Sequence, residues 1–121
     1  MNANEFMKKI GFKAAKSIVN RWPFSTETDV YLPEMKEYTY IAIPPTETDP
    51  YVSLADLQRI VESCEIVESL EGLDRAKLFI KHREFNLERG IYFKCTIEGI
   101  KKRVDRVKQA VLDVESITVA I

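Results

Sequence analysis

The side chains best suited to nucleophilic chemistry in this sequence of 121 residues are two cysteines and one histidine. Cys64 and Cys95 are candidate nucleophiles, and His82 would be their general base. The histidine stands in the charged stretch KHRE, however, which is typical of a surface position. The sequence has no GxSxG, P-loop, GxGxxG or HExxH motif. We therefore expect no catalytic residues and no enzyme.

The same three residues do not predict a metal or cofactor site, because one histidine and two distant cysteines match no recognised zinc spacing. The N-terminal stretch MNANEFMKKIGFKAAKSIV is interrupted by charges and has no signal-peptide core. The sequence has no run of about 18 apolar residues, so we expect no membrane-spanning helix. We predict a cytoplasmic protein that contacts no membrane and whose two thiols are reduced core side chains.

Charge is distributed unevenly along the chain, although the formal net charge is only −1. Residues 1–24 carry a net charge of +4, residues 25–71 carry −9, and residues 72–121 carry +4. The isoelectric point near 5.9 is far below that of a typical nucleic-acid-binding domain. The acidic block is therefore the first candidate for a binding surface.

Aromatic residues lie within and just before this acidic block. Aromatic and acidic side chains together suit a protein interface, and they could mimic the charge of nucleic acid toward a DNA-handling protein. Packing of these aromatics against the domain's own core is an equally good interpretation. The candidate partner-binding residues are Trp22, Phe24, Tyr31, Tyr51, Glu62 and Glu65.

A basic cluster near the C-terminus offers nucleic-acid binding as an alternative function, because five cations in eight residues could contact phosphates. We favour a solvated face paired with the acidic helix instead. The residues concerned are Lys101, Lys102, Arg103, Arg106 and Lys108.

Hydrophobic periodicity predicts three main helices and a short fourth one. Their expected bounds are 2–22, 53–70, 97–114 and, for the short helix, 73–82. Asn2 and Ser53 are expected to cap the first and second helices, and Pro23 to end the first. Gly11 is a weak point inside the first helix, and Gly72 is expected to take the left-handed position after the second. Residues 23–36, 44–52 and 84–90 are expected to be loops or turns.

β-branched and aromatic runs at 37–43 and 91–96 predict a small sheet. The expected fold is a single domain over 1–121, α-rich and of the α+β class. It comprises an N-terminal helix (1–22), a loop and strand region (23–52) and a helical hairpin core with short strands (53–121). The alternative is a ferredoxin-like βαββαβ order with an extra N-terminal helix. That order requires strands at 77–82 and 116–121.

Apolar residues in the last helix follow a heptad spacing, which needs an apolar partner surface. The acidic helix at 53–71 is a natural neighbour, and a second chain would serve equally well. A homodimer is therefore compatible with the sequence. The heptad residues are Ile97, Ile100, Val104, Val107, Val111 and Val114.

Two stretches carry a resemblance to a known group of proteins. The opening NANEFMKKIGFKAAKSIV, and LQRIVESCEIVESLEGLDRAKLFI with KQAVLDVES, resemble small accessory proteins of lambda-like temperate phages and prophages of enteric bacteria. The similar segments cover about half of the chain and carry structural rather than catalytic motifs. The resemblance implies a dispensable role, such as modulating a host protein or countering a defence system, and it does not imply an enzyme. It assigns no functional residues.

Overall fold

The computed structural model describes residues 1–22, 28–41, 45–46, 48–90 and 97–118, and these form an α-rich α+β fold. This confirms the expected fold class. Over these described residues, five helices and three short strands follow one another in this order: α1 (Ala3–Ile10), α2 (Phe12–Asn20), β1 (Val30–Leu32), β2 (Glu37–Thr39), β3 (Val52–Ser53), α3 (Leu54–Ser69), α4 (Leu73–Glu88) and α5 (Ile97–Thr118).

The ferredoxin-like alternative is wrong, because residues 77–82 lie in the middle of helix α4. The stretch Leu-Phe-Ile suited either a strand or a helix, but Leu73, Ala76 and Ile80 recur at helical spacing and pack into the core. The turn predicted at 84–90 is also largely helix, since α4 continues to Glu88. Residues 116–118 belong to α5, and the strand predicted at 91–96 lies outside the described residues.

The single N-terminal helix predicted over 2–22 is divided into α1 and α2 by Gly11. This glycine has φ 85° and ψ 166°, a conformation that residues with a side chain rarely adopt. Asn2 caps α1 as predicted, because its side-chain oxygen accepts a hydrogen bond from the Asn4 amide at 2.8 Å. The break makes two short amphipathic helices, whose buried residues include Phe6, Met7 and Val19.

The small sheet is antiparallel with the strand order β2-β1-β3, and it differs from the predicted one. Its central strand β1 lies in the stretch 23–36, which was expected to be a loop. The strand was not predicted because three residues before a proline are too short a pattern to recognise. Val30 pairs with Thr39 of β2 and with Ser53 of β3. Of the strand predicted at 37–43, residues 37–39 form β2 and residues 42–43 lie outside the described part of the chain.

The chain contains two compact units, and it passes from one to the other inside α3 and again near the end of α5. The first comprises Met1–Val61 and the C-terminal end from Ile117. Tyr31 lies in its core, with ring centroids 6.3 Å from Phe6 and 5.1 Å from Tyr38. The N-terminal ammonium group of Met1 donates hydrogen bonds to the carbonyl oxygens of Asp49 and Tyr51, which ties the segment before β3 to α1.

The second unit, Glu62–Ser116, is built from the end of α3, from α4 and from most of α5. Its apolar core contains residues from all three helices. The heptad residues Val107, Val111 and Val114 of α5 belong to this core and are buried by residues of the same chain. They no longer require a second chain to bury them. The buried core residues are Val67, Ala76, Val107, Ala110, Val111 and Val114.

Helix α3 ends in a Schellman motif in which Glu71, rather than Gly72, takes the left-handed position. The Gly72 amide donates to the Val67 carbonyl at 2.9 Å and the Glu71 amide to the Glu68 carbonyl at 3.0 Å. Glu71 has φ 69°, and Gly72, with φ 110°, begins α4. The sequence analysis placed the left-handed position one residue too late.

Replacing Glu71 by glycine is expected to raise the free energy of unfolding by about 0.5–1 kcal/mol. The left-handed conformation destabilises a residue with a side chain by about 1–2 kcal/mol, and glycine avoids this cost. The larger conformational entropy of glycine in the unfolded chain offsets part of the difference. Urea denaturation measures the change. Glu71→Ala is the control, because it removes the same charge but keeps the strain, and it should give no such gain.

Candidate functional site

An acidic ridge covers the outer side of the second half of α3 and the turn after it. We define the acidic ridge as Glu62, Glu65, Glu68 and Glu71, all of which are exposed. The intervening Val67 and the half-buried Cys64 and Leu70 point to the core of the second unit, so helical periodicity turns the glutamates outward. Two of the four, Glu62 and Glu65, are candidate partner-binding residues from the sequence.

At the start of the ridge, Glu62 has a basic neighbour in α5. The Arg106 guanidinium lies 3.9 Å from the Glu62 carboxylate, whose side chain is 56% exposed. Such a long and exposed ion pair contributes little and leaves the carboxylate accessible to a binding partner. Glu62 therefore keeps most of its capacity to bind a cation from outside.

Beneath this ion pair is a buried polar network that the sequence analysis missed. The Ser63 hydroxyl donates to the Asp113 carboxylate at 2.6 Å and accepts from Arg106 at 3.1 Å, while the Gln109 amide donates to Asp113 at 3.0 Å. Ser63 is fully buried and Asp113 is 3% exposed. The network holds the Arg106 side chain of α5 beside α3, where it lies next to Glu62 of the ridge. Its role is therefore structural.

The aromatic candidates are largely engaged inside the first unit. Tyr31 is buried and packs against Phe6 and Tyr38, in agreement with the core-packing interpretation. The Trp22 indole donates to the carbonyl and hydroxyl oxygens of Thr28 at 3.1 and 3.2 Å. Tyr51 is half-buried, and Phe24 lies outside the described residues. For the tyrosine in β1, the core-packing interpretation was the correct one.

The basic cluster of α5 is divided between internal ion pairs and solvent. Lys108 contacts Glu84 at 2.9 Å. The hydrogen bond to Glu84 and the negative charge of that carboxylate raise the pKa of Lys108. Lys101 and Lys102 are exposed, and the Arg103 guanidinium lies 5.8 Å from the centre of the Phe79 ring. Two of the five cations are therefore paired within the chain, Arg106 with Glu62 and Lys108 with Glu84.

Of the residues considered for nucleophilic chemistry, the described Cys64 and His82 lie in different surroundings. Cys64 packs against the core of the second unit, whereas His82 is exposed on α4. Burial raises the pKa of the Cys64 thiol, and the negative charges of Asp113 and Glu65 raise it further. A protonated thiol is a poor nucleophile at neutral pH. Cys95 lies outside the described residues.

The exposed side of α4 carries two large apolar side chains that the sequence analysis also missed. Leu78 is 57% and Phe85 is 51% exposed, and they are seven residues apart, close to two helical turns. A shallow cleft of about 530 Å³ lies beside Leu78, Arg75 and His82. The signal was present in the sequence, because both residues lie off the stripe formed by Leu73, Ala76 and Ile80.

Within the described part of the chain, no three His, Cys, Asp or Glu side chains are grouped so as to hold a metal ion. No helix in that part has the length and apolar character needed to cross a bilayer. Comparisons with protein-family models, with curated proteins and with solved structures found no match.

Proposed function

We propose that this chain is a non-enzymatic accessory protein of a temperate phage or prophage that binds a host protein in the bacterial cytoplasm. The acidic ridge is the binding surface, and the host surface that it contacts is basic. The resemblance implies a host protein that the chain modulates or a defence system that it counters. A DNA-handling protein is one such partner, because the acidic block can mimic the charge of nucleic acid. The resemblance of the two sequence stretches supports the phage origin, and the ridge supports the binding role.

The observation that carries this proposal is the concentration of exposed carboxylates on one short segment. Four glutamates occur within ten residues, and all four are exposed. Like charges this close together repel one another, so a basic surface relieves the repulsion when it docks. Complementary charge also accelerates association and discriminates against wrong partners.

The test compares affinity enrichment from an enteric bacterial lysate by three proteins. They are the wild type, a ridge variant with all four glutamates replaced by glutamine, and a control variant with Glu34→Gln, Glu37→Gln, Glu98→Gln and Asp105→Asn. The control removes four exposed carboxylates elsewhere, so the two variants have the same net charge.

We expect the wild type and the control to retain one host protein that the ridge variant loses by about tenfold or more. Equal retention by all three proteins would contradict the ridge as the binding surface. Retention of no host protein by the wild type would contradict the proposed function itself.

Nucleic-acid binding is the second candidate, and the exposed Lys101, Lys102 and Arg103 are the observation that favours it. In this case the wild type would recover DNA or RNA from the lysate, with an affinity that falls steeply as salt is added. Neutralising these three residues would flatten the salt dependence. The ridge variant would then bind better, because it has lost repulsive charge.

A further inference from the structure

We propose that the exposed face of α4 is a self-association surface, on which two copies of this chain pair through parallel α4 helices. We define the α4 face as Leu78 and Phe85 with the charged residues on either side of them. The two apolar side chains are each more than half exposed, and both lie on one line along the helix. Single exposed apolar side chains are ordinary, but two that are aligned on one helix face form a shared apolar surface for a partner.

The occupant is indicated by the charges that flank the apolar line. Each flank repeats at a spacing of seven residues, like the apolar line itself, and all six flanking residues are exposed. One flank is basic or neutral and the other is mainly acidic. The first flank is Arg75, His82 and Arg89, and the second is Asp74, Lys81 and Glu88.

A parallel two-fold pair of helices places each flank of one copy against the opposite flank of the other. Arg75 then faces Asp74 of the second copy, and Arg89 faces Glu88 of the second copy. The two-fold axis repeats both ion pairs on the other side of the seam, while Leu78 packs on Leu78 and Phe85 on Phe85. The Lys81 and His82 pair at the centre is the one pair that brings no opposite charges together.

The antiparallel arrangement is disfavoured by the same charges. It keeps like flanks together, so that Arg75 approaches Arg89 of the second copy and Asp74 approaches Glu88. A partner with one sign of charge would likewise meet repulsion on one flank. The face is therefore complementary to itself in a single orientation, which favours a second copy over an unrelated protein.

One cation of the α4 face is held in position by a contact within the same chain. The Arg89 guanidinium lies 4.8 Å from the centre of the Phe85 ring, so the cation and the apolar residue that it flanks are positioned together. With two apolar layers, the interface is small, and we expect a dimer that dissociates on dilution.

Disulfide trapping tests the orientation directly on the full chain. A Leu78→Cys variant and a Phe85→Cys variant should each form a dimer linked through the introduced cysteine, identified by mass spectrometry of the linked peptides. Leu112→Cys is the control, because Leu112 is 62% exposed on α5 and should not cross-link. Links that form only when the two α4 variants are mixed, joining residue 78 to residue 85, would overturn the parallel arrangement.

Analytical ultracentrifugation of charge-reversal variants tests the flanks. Arg75→Glu with Arg89→Glu should weaken the dimer by about tenfold or more, because four ion pairs become repulsive. Adding Asp74→Lys and Glu88→Lys should restore it. A wild type that stays monomeric over about a hundredfold range of concentration would overturn the proposal.

Of the acidic ridge, Glu71 lines the same cleft as Arg75 and Leu78 of the α4 face. A ridge variant that keeps Glu71 therefore lets the two proposals fail separately. A variant with only Glu62→Gln, Glu65→Gln and Glu68→Gln should dimerise like the wild type. Loss of the dimer in that variant would instead indicate that the ridge of one copy binds the basic side of another, and it would overturn the α4 pairing.

Discussion

Replacing Asp113 by alanine is expected to lower the free energy of unfolding by about 2–4 kcal/mol. The Asp113 carboxylate accepts hydrogen bonds from Ser63 and Gln109 in a buried setting, and its removal leaves these donors without that acceptor. A buried polar group that loses its partner costs about 1–3 kcal/mol, and more when a charge is involved. Denaturation in urea, followed by circular dichroism, measures the loss.

The matched control for this prediction is Asp105→Ala, the same substitution at an exposed position of α5. It should change stability by no more than about 0.5 kcal/mol. A double variant with Ser63→Ala should be less destabilised than the sum of the two single variants, because both remove the same hydrogen bond. Equal effects of the two aspartate substitutions would contradict the buried network.

Replacing Leu57 by alanine is expected to cost about 2–5 kcal/mol. Leu57 is fully buried in the first half of α3, so its loss removes apolar contacts and leaves a cavity. The same denaturation experiment measures the effect. Leu112→Ala is the control, because the Leu112 side chain is mostly exposed, and it should be close to neutral. A cost below about 1 kcal/mol for Leu57 would contradict its place in the core.

The helices were predictable from the sequence because their apolar residues repeat over several turns. The predicted start at Ser53 agrees with the structure, in which the Asp56 amide donates to the Ser53 hydroxyl at 3.3 Å. The helix ends were less predictable. Gly11 interrupts the first helix and Asn86 does not interrupt α4, although both residues weaken a helical pattern. Tertiary packing decides which of these weak points becomes a break.

The sheet was poorly predictable because its strands are only two or three residues long. A period of two cannot be recognised in three residues, and the central strand is defined by pairing with residues far along the chain. The same limit applies to Tyr31. Its type suited both an interface and a core, and only the contacts with Phe6 and Tyr38 distinguish the two.

The candidate site was predictable in part. The acidic block indicated the ridge at Glu62 and Glu65, because charge can be read from the sequence alone. The link between Ser63 and Asp113 joins residues 50 positions apart, and no local pattern predicts it. The exposed Leu78 and Phe85 were hidden among other apolar residues of the same helix, and the helix itself had to be assigned before they could be placed on its outer face.

The central claim, that the acidic ridge contacts a basic host protein, is tested most directly by zero-length coupling of carboxylates to lysines in the lysate. The internal pair Lys108 and Glu84, 2.9 Å apart, provides a positive control for the coupling. We predict links from Glu62, Glu65, Glu68 or Glu71 to lysines of one host protein. Links to a host protein from Glu34, Glu37 or Glu98, with none from the ridge, would contradict the claim.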